Sequence, residues 1–112
     1  MGKRPSFIEI AASRLAFLVE EHDFAGPEVQ HPWDRIPAIA RVCYHRADLT
    51  IEVLHVVGFM GENHVQTRCH RTDEDGDWIE LGSNTTRTGY QLRRALDRQA
   101  GAICSYLGRV SS

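Results

Sequence analysis

Close cysteine pairs and long apolar runs are missing from this sequence, and lysine nearly so. The three cysteines, Cys43, Cys69 and Cys104, are odd in number and share no C-x-x-C spacing. That pattern excludes a disulfide framework and fits a reducing cytosol. No apolar run approaches the roughly 20 residues that span a bilayer, and the opening stretch "MGKRPSFIEI" lacks a signal-peptide core. Gly2 and Ser6 match a loose myristoylation pattern, but Ser6 has a capping role in the first helix, so no lipid anchor is expected. These absences imply a cytoplasmic protein, in which the Asn84-Thr85-Thr86 sequon has no meaning. There is no internal repeat and no low-complexity segment. Lys3 is the single lysine among 13 basic residues, so the positive charge belongs to arginine.

The charge is unevenly placed. The chain carries a net charge of −2. Residues 86–112 hold five arginines against Asp97, whereas residues 1–85 hold eight bases against 14 acids. Hydrophobic residues at 42% and charged residues at 25% describe an ordinary globule, and 112 residues suit a single α+β domain over 1–112.

Ser6-x-x-Glu9 is a capping box opening a helix from about 6 to 22. Its buried stripe is Ile8, Ala11, Ala12, Leu15, Leu18 and Val19, with Phe7 and Phe17 on the flanks. Gly26 and Pro27 end it. Residues Ala25 to Pro37 read as a connection with three prolines and Trp33, which is expected to lie over the domain as a lid. "AIARVCYHR", "LTIEVLHVV" and "HVQTRCHR" alternate with period 2 and read as antiparallel strands with one covered face. Ala47-Asp48 turns the first hairpin, Phe59-Met60 the second, and Asp75-Gly76 leads into a short strand "WIEL". Thr88-x-x-Gln91 caps a last helix from about 89 to 107, with Leu92, Ala95, Leu96, Gln99, Ile103, Tyr106 and Leu107 inward. The expected fold is α-β-β-β-β-α: a four-stranded antiparallel sheet with two helices on one face.

The turns set a register. Tyr44 faces Ile51, Val42 faces Val53, Cys43 faces Glu52, and Glu52 faces Arg68. The uncovered face then carries Arg41, Cys43, His45, Glu52, Leu54, Gln66, Arg68 and His70. Glu52–Arg68 reads as an exposed cross-strand pair, worth roughly 0.2–1 kcal/mol. Cys43, His45 and His70 have the residue types of a Cys-His catalyst, but nothing in the sequence suggests an activated thiol or an oxyanion site. The same three could converge on zinc, but a flat sheet face splays side chains roughly 5 Å apart, so a tetrahedral site is not expected. "DEDGD" starts like a calcium loop, but Gly76 falls at the fourth position instead of the sixth and Asn84 stands where the closing glutamate belongs. No metal, no cofactor and no catalytic residue are expected. The arginines of the last helix come without a Gly-rich or aromatic stacking motif, so nucleic acid is not the expected partner.

"FLVEEHDF" is the most informative stretch. Glu20, Glu21 and Asp23 end a helix, and Glu28 comes soon after. Carboxylates at a helix C-terminus oppose the macrodipole by ~0.3–1 kcal/mol each, and such local conflicts mark candidate functional positions. Phe59 and Met60 present a second conflict, two apolar residues where a turn should be polar. Aromatics and methionine anchor interfaces. The candidate partner-binding residues are therefore Glu20, Glu21, Asp23, Glu28, Phe59 and Met60.

The succession "FLVEEHDF", "GPEV", "VCYHRADLTIEV" resembles small bacterial immunity proteins of polymorphic toxin systems over residues 15–53. The resemblance implies a non-catalytic protein that binds and neutralises a toxin, often one with a basic active site, through acidic residues and apolar anchors. The Arg-rich last helix departs from a simple acidic mimic. A small chaperone or adaptor of the secretion type, dimeric through a sheet edge or the open face, is the alternative. An enzyme or ligand binder using Cys43, His45 and His70 is the third.

Overall fold

The computed structural model describes residues 7–30, 38–58, 63–71, 78–86 and 89–110. The Ser6 and Thr88 caps, Trp33, the Phe59-Met60 tip and the Asp75-Gly76 turn lie outside them. The amphipathic N-terminal segment forms helix in two pieces, α1 (Phe7–Arg14) and α2 (Ala16–Glu21). Leu15 interrupts them at φ −106°, ψ 10°, in the bridge region between helix and strand. Leu15 stays buried and its N–H still reaches Ala11 O, but the turn re-aims α2. Phe7, Ile10, Ala11, Leu15 and Leu18 are buried, whereas Val19, expected inside, is 43% exposed.

The sheet has five strands, which corrects the four-strand count. The extra one is β1 (Ala25–Gln30), inside the segment read as a connection. It pairs antiparallel with β2 (Ala38–His45) through Glu28–Cys43 and Gln30–Arg41, with a register shift between Ala25 and Glu28. Pro27 is tolerated because β1 is an edge strand, where one side of the backbone needs no partner. Gly26 sits at φ +133°, and a Cβ there would lie 2.8 Å from Cys43 O, so glycine is required for the approach. An edge strand exposed along almost its whole length carries no alternating pattern, which is why periodicity missed it.

The remaining strands come in chain order, β3 (Leu49–Val57), β4 (Asn63–Arg71) and β5 (Ile79–Thr86), and the sheet is a plain meander. Arg46 and Leu49 exchange backbone hydrogen bonds across the Ala47-Asp48 turn. Tyr44–Ile51, Val42–Val53, Cys43–Glu52 and Glu52–Arg68 pair as the turns require. β5 runs past "WIEL" through Gly82, Ser83 and Asn84, residues of low strand propensity.

The C-terminal helix α3 (Gly89–Val110) and α1 cover one face. Leu15, Leu18, Val42, Tyr44, Ile51, Val53, Leu96 and Ile103 are all buried between the layers. Gln99 and Thr67 are polar members of this core. Gln99 Nε2 donates to Val65 O at 2.9 Å and Asn84 Oδ1 at 3.0 Å, and its Oε1 accepts from Thr67 Oγ1. Gly82 makes room for it: a Cβ there would fall 2.9 Å from Gln99 Cγ. Among the described residues, no helix is long and apolar enough to cross a membrane.

His55 stacks beneath Phe7 of α1, ring centroids 5.1 Å apart. Burial holds its pKa below the ordinary value of 6.5, against a hydrogen bond with Asn63 that favours the charged form. The unfolded chain therefore takes up the proton more readily. This contribution to stability is complete above pH 6.5 and is lost as pH falls toward the depressed folded value. Melting curves at neutral pH and pH ~5 should show a loss on acidification that is smaller in His55→Phe; an equal loss in both would place the acid sensitivity elsewhere.

Candidate functional site

The face away from the helices is held by a row of ionic side chains. Register places Glu28, Cys43, Glu52, Arg68 and Glu80 side by side across all five strands. Glu52 at the centre is 2% exposed. Two arginines enclose it. Arg41 Nη1 donates to Oε2 at 3.0 Å, Arg68 Nε donates to Oε1 at 2.7 Å, and Arg68 Nη2 pairs with the same oxygen. Cys43 Sγ donates to Oε2 at 3.4 Å. The Arg68 guanidinium lies in turn 4.6 Å from the Trp78 ring centroid, a cation–π contact. The expectation of an exposed Glu52–Arg68 pair is thus corrected: the partners are right, but the carboxylate is buried.

The geometry does not assemble a Cys-His pair. His45 Nε2 bonds Glu28 Oε2 at 2.9 Å and its Nδ1 bonds Thr50 Oγ1 at 3.2 Å, so neither ring nitrogen serves Cys43. His70 stands one strand further on, beyond Thr50, at about 10 Å for two strand spacings, and packs on Trp78. Burial first, then the neighbouring Glu52 charge, push the Cys43 thiol up to about 12. A thiol so protonated is a poor nucleophile. At neutral pH, iodoacetamide should label exposed Cys104 and leave Cys43 unmodified in the folded protein, as read by peptide mass spectrometry; preferential labelling of Cys43 would reopen the nucleophile reading. Among the described residues, no group of three or more His, Cys, Asp or Glu side chains converges on a metal position.

The acidic end of the first helical segment has a defined architecture. α2 ends at Glu21, and Phe24 N–H bonds back to Leu18 O, closing the chain beneath the helix. Asp23 takes a left-handed conformation at φ 63° to make this reversal, which aspartate tolerates better than most residues. Phe24 is buried and anchors the turn. Glu20, Glu21 and Asp23 all remain exposed. The cation that a helix C-terminus favours comes from the β2–β3 turn: Arg46 Nη1 donates to His22 O at 3.0 Å and its guanidinium lies 4.7 Å from the Phe24 ring centroid.

The charge of Arg46 is already answered. Its Nε and Nη2 donate to the two oxygens of Asp48 at 2.6 Å and 3.1 Å, and this bonding holds the Asp48 carboxyl below its usual value. Glu20, Glu21 and Asp23 make no ion pair or side-chain hydrogen bond among the described residues. Glu28 does not join them. It shares the sheet's other face with Cys43 and bonds His45. Phe59 and Met60 lie outside the described residues. Sequence reasoning missed Arg46 and Asp48 at this end, because their link to α2 runs between residues 24 positions apart. It also missed Trp78 over Arg68, whose sequence signal was its place one residue before the last strand. Comparison with protein families, curated proteins and solved structures gives no match for this chain.

Proposed function

We propose that this chain is a non-catalytic, cytoplasmic protein-binding domain that captures a basic protein at the end of α2. One observation carries the reading: Glu20, Glu21 and Asp23 are exposed together with no cation answering them among the described residues, while Arg46 at the helix terminus is held by Asp48. Unanswered charge of one sign steers an oppositely charged partner and raises its association rate. The resemblance to immunity proteins supplies the partner class, a toxin domain with a basic active surface. Phe59 and Met60 are the apolar anchors of the proposal, and Glu28 extends its negative charge to the other sheet face. The Arg-rich α3 would repel such a partner, which confines docking to the opposite charge pole.

The test is a paired capture. Wild-type protein and a Glu20→Gln, Glu21→Gln, Asp23→Asn variant are used as bait in lysate of the source cells, at low and raised salt. The reading predicts a basic protein retained by wild type, lost from the variant and released by salt. Identical retention by both baits, or a retained partner that is acidic, contradicts it.

A further inference from the structure

The bend between α1 and α2 has no cause in its own sequence. Arg14, Leu15 and Ala16 are among the strongest helix formers. Sharp bends otherwise trace to proline, to glycine–serine pairs or to an inserted group, and residues 14–17 contain no proline, glycine or serine. Yet Leu15 leaves helical geometry, and Leu18 N–H bonds Leu15 O at 3.0 Å, a tighter turn than an α-helix makes. A straight helix would set Val19 in one row with Ile8, Ala12 and Leu15, at the spacing of an apolar stripe. The bend leaves Val19 exposed instead. Local preference therefore favours one straight helix, and contacts from elsewhere oppose it.

Those contacts stand on both sides of Leu15. On the α1 side, Arg14 Nε pairs with Asp97 of α3 at 2.8 Å. On the α2 side, Phe24 N–H returns to Leu18 O at 3.1 Å, and the Phe24 side chain is buried. Arg46 secures this return from the β2–β3 turn. Its guanidinium bonds His22 O, lies against the Phe24 ring and is itself fixed by both oxygens of Asp48. Arg46 and His22 are 24 positions apart, so this hold comes from the folded sheet and not from the helix.

We propose that Leu15 is a hinge and that Arg46 is the latch that keeps α2 bent. With the latch released, α1 and α2 join as one helix, Val19 enters the row of Leu15, and Glu20 and Glu21 change direction. The device couples the β2–β3 turn to the placement of α2, and it stands whether or not a partner docks on the acids.

Nuclear magnetic resonance of the full chain tests it without a partner. In wild type, the Leu15 Cα shift should stand near its coil value between helical neighbours. In Arg46→Ala it should rise to the helical value, and the contact between Leu15 Hα and the Val19 amide should strengthen. Asp48→Asn loosens the latch without removing it and should move both signals part of the way; if Arg46→Ala does not fold, this variant decides. A Leu15 shift already helical in wild type, signals unchanged in the variants, or an α2 that turns to coil instead of joining α1 would each overturn the hinge.

Discussion

Glu52→Ala is expected to lower the unfolding free energy by about 3 kcal/mol, the low end of the range for breaking a buried ion pair. The carboxylate accepts from two arginines and a thiol, and its removal leaves the two guanidinium groups facing each other across β3. The effect stays at the low end because the side chains of Arg41 and Arg68 are 39% and 33% exposed and can rehydrate. Glu52→Gln keeps the shape and part of the hydrogen bonding, so it should fall between wild type and alanine. Electrostatics supplies a second readout. The Glu52 charge helps to push the Cys43 thiol up, while Arg41 pulls it down. Without Glu52, Cys43 should react with iodoacetamide faster at a given pH. Urea unfolding and the labelling rate check both; a stability loss below about 0.5 kcal/mol would mean that the pair behaves as an ordinary surface bridge.

Gln99→Leu should cost about 2–3 kcal/mol although the volume hardly changes. The loss comes from stranding the Thr67 hydroxyl and the Val65 carbonyl in the core, each without its partner. Adding Thr67→Val removes one of the stranded groups, so the double variant should be more stable than Gln99→Leu alone. A double variant no better than the single one would show that shape, and not the hydrogen bond, is what Gln99 supplies. Equilibrium urea curves on the four proteins of this cycle measure the difference.

Alternation made β2, β3 and most of β4 legible, because each puts mostly apolar or β-branched side chains on one face at every second position. The placement of the turns then gave the pairing of Cys43 with Glu52 and of Glu52 with Arg68. β1 was illegible because an edge strand need not bury either face, and Pro27 argues locally against a strand. The break at Leu15 left no mark either. Its side chain satisfies a helical stripe equally well on either side of the turn, and only the exposure of Val19 reveals the rotation. The burial of Glu52 depends on Arg41 and Arg68, which flank it from neighbouring strands. Register identifies Arg68 as a partner, whereas Arg41 stands opposite Leu54 and reaches the carboxylate diagonally. At the acidic end, "EEHD" announced the charge. What sequence could not show was that Arg46, which reaches the helix terminus, is occupied by Asp48 and by that terminus.

Hydrogen exchange on the complex recovered by the wild-type bait is the most direct measurement of where this protein engages its partner. Docking on the acidic terminus predicts slowed exchange of backbone amides from Leu18 to Phe24, and in the Arg46–Leu49 turn that supports them. Unchanged exchange there, with protection confined to the Glu52 face of the sheet or to β5 and α3, would contradict it.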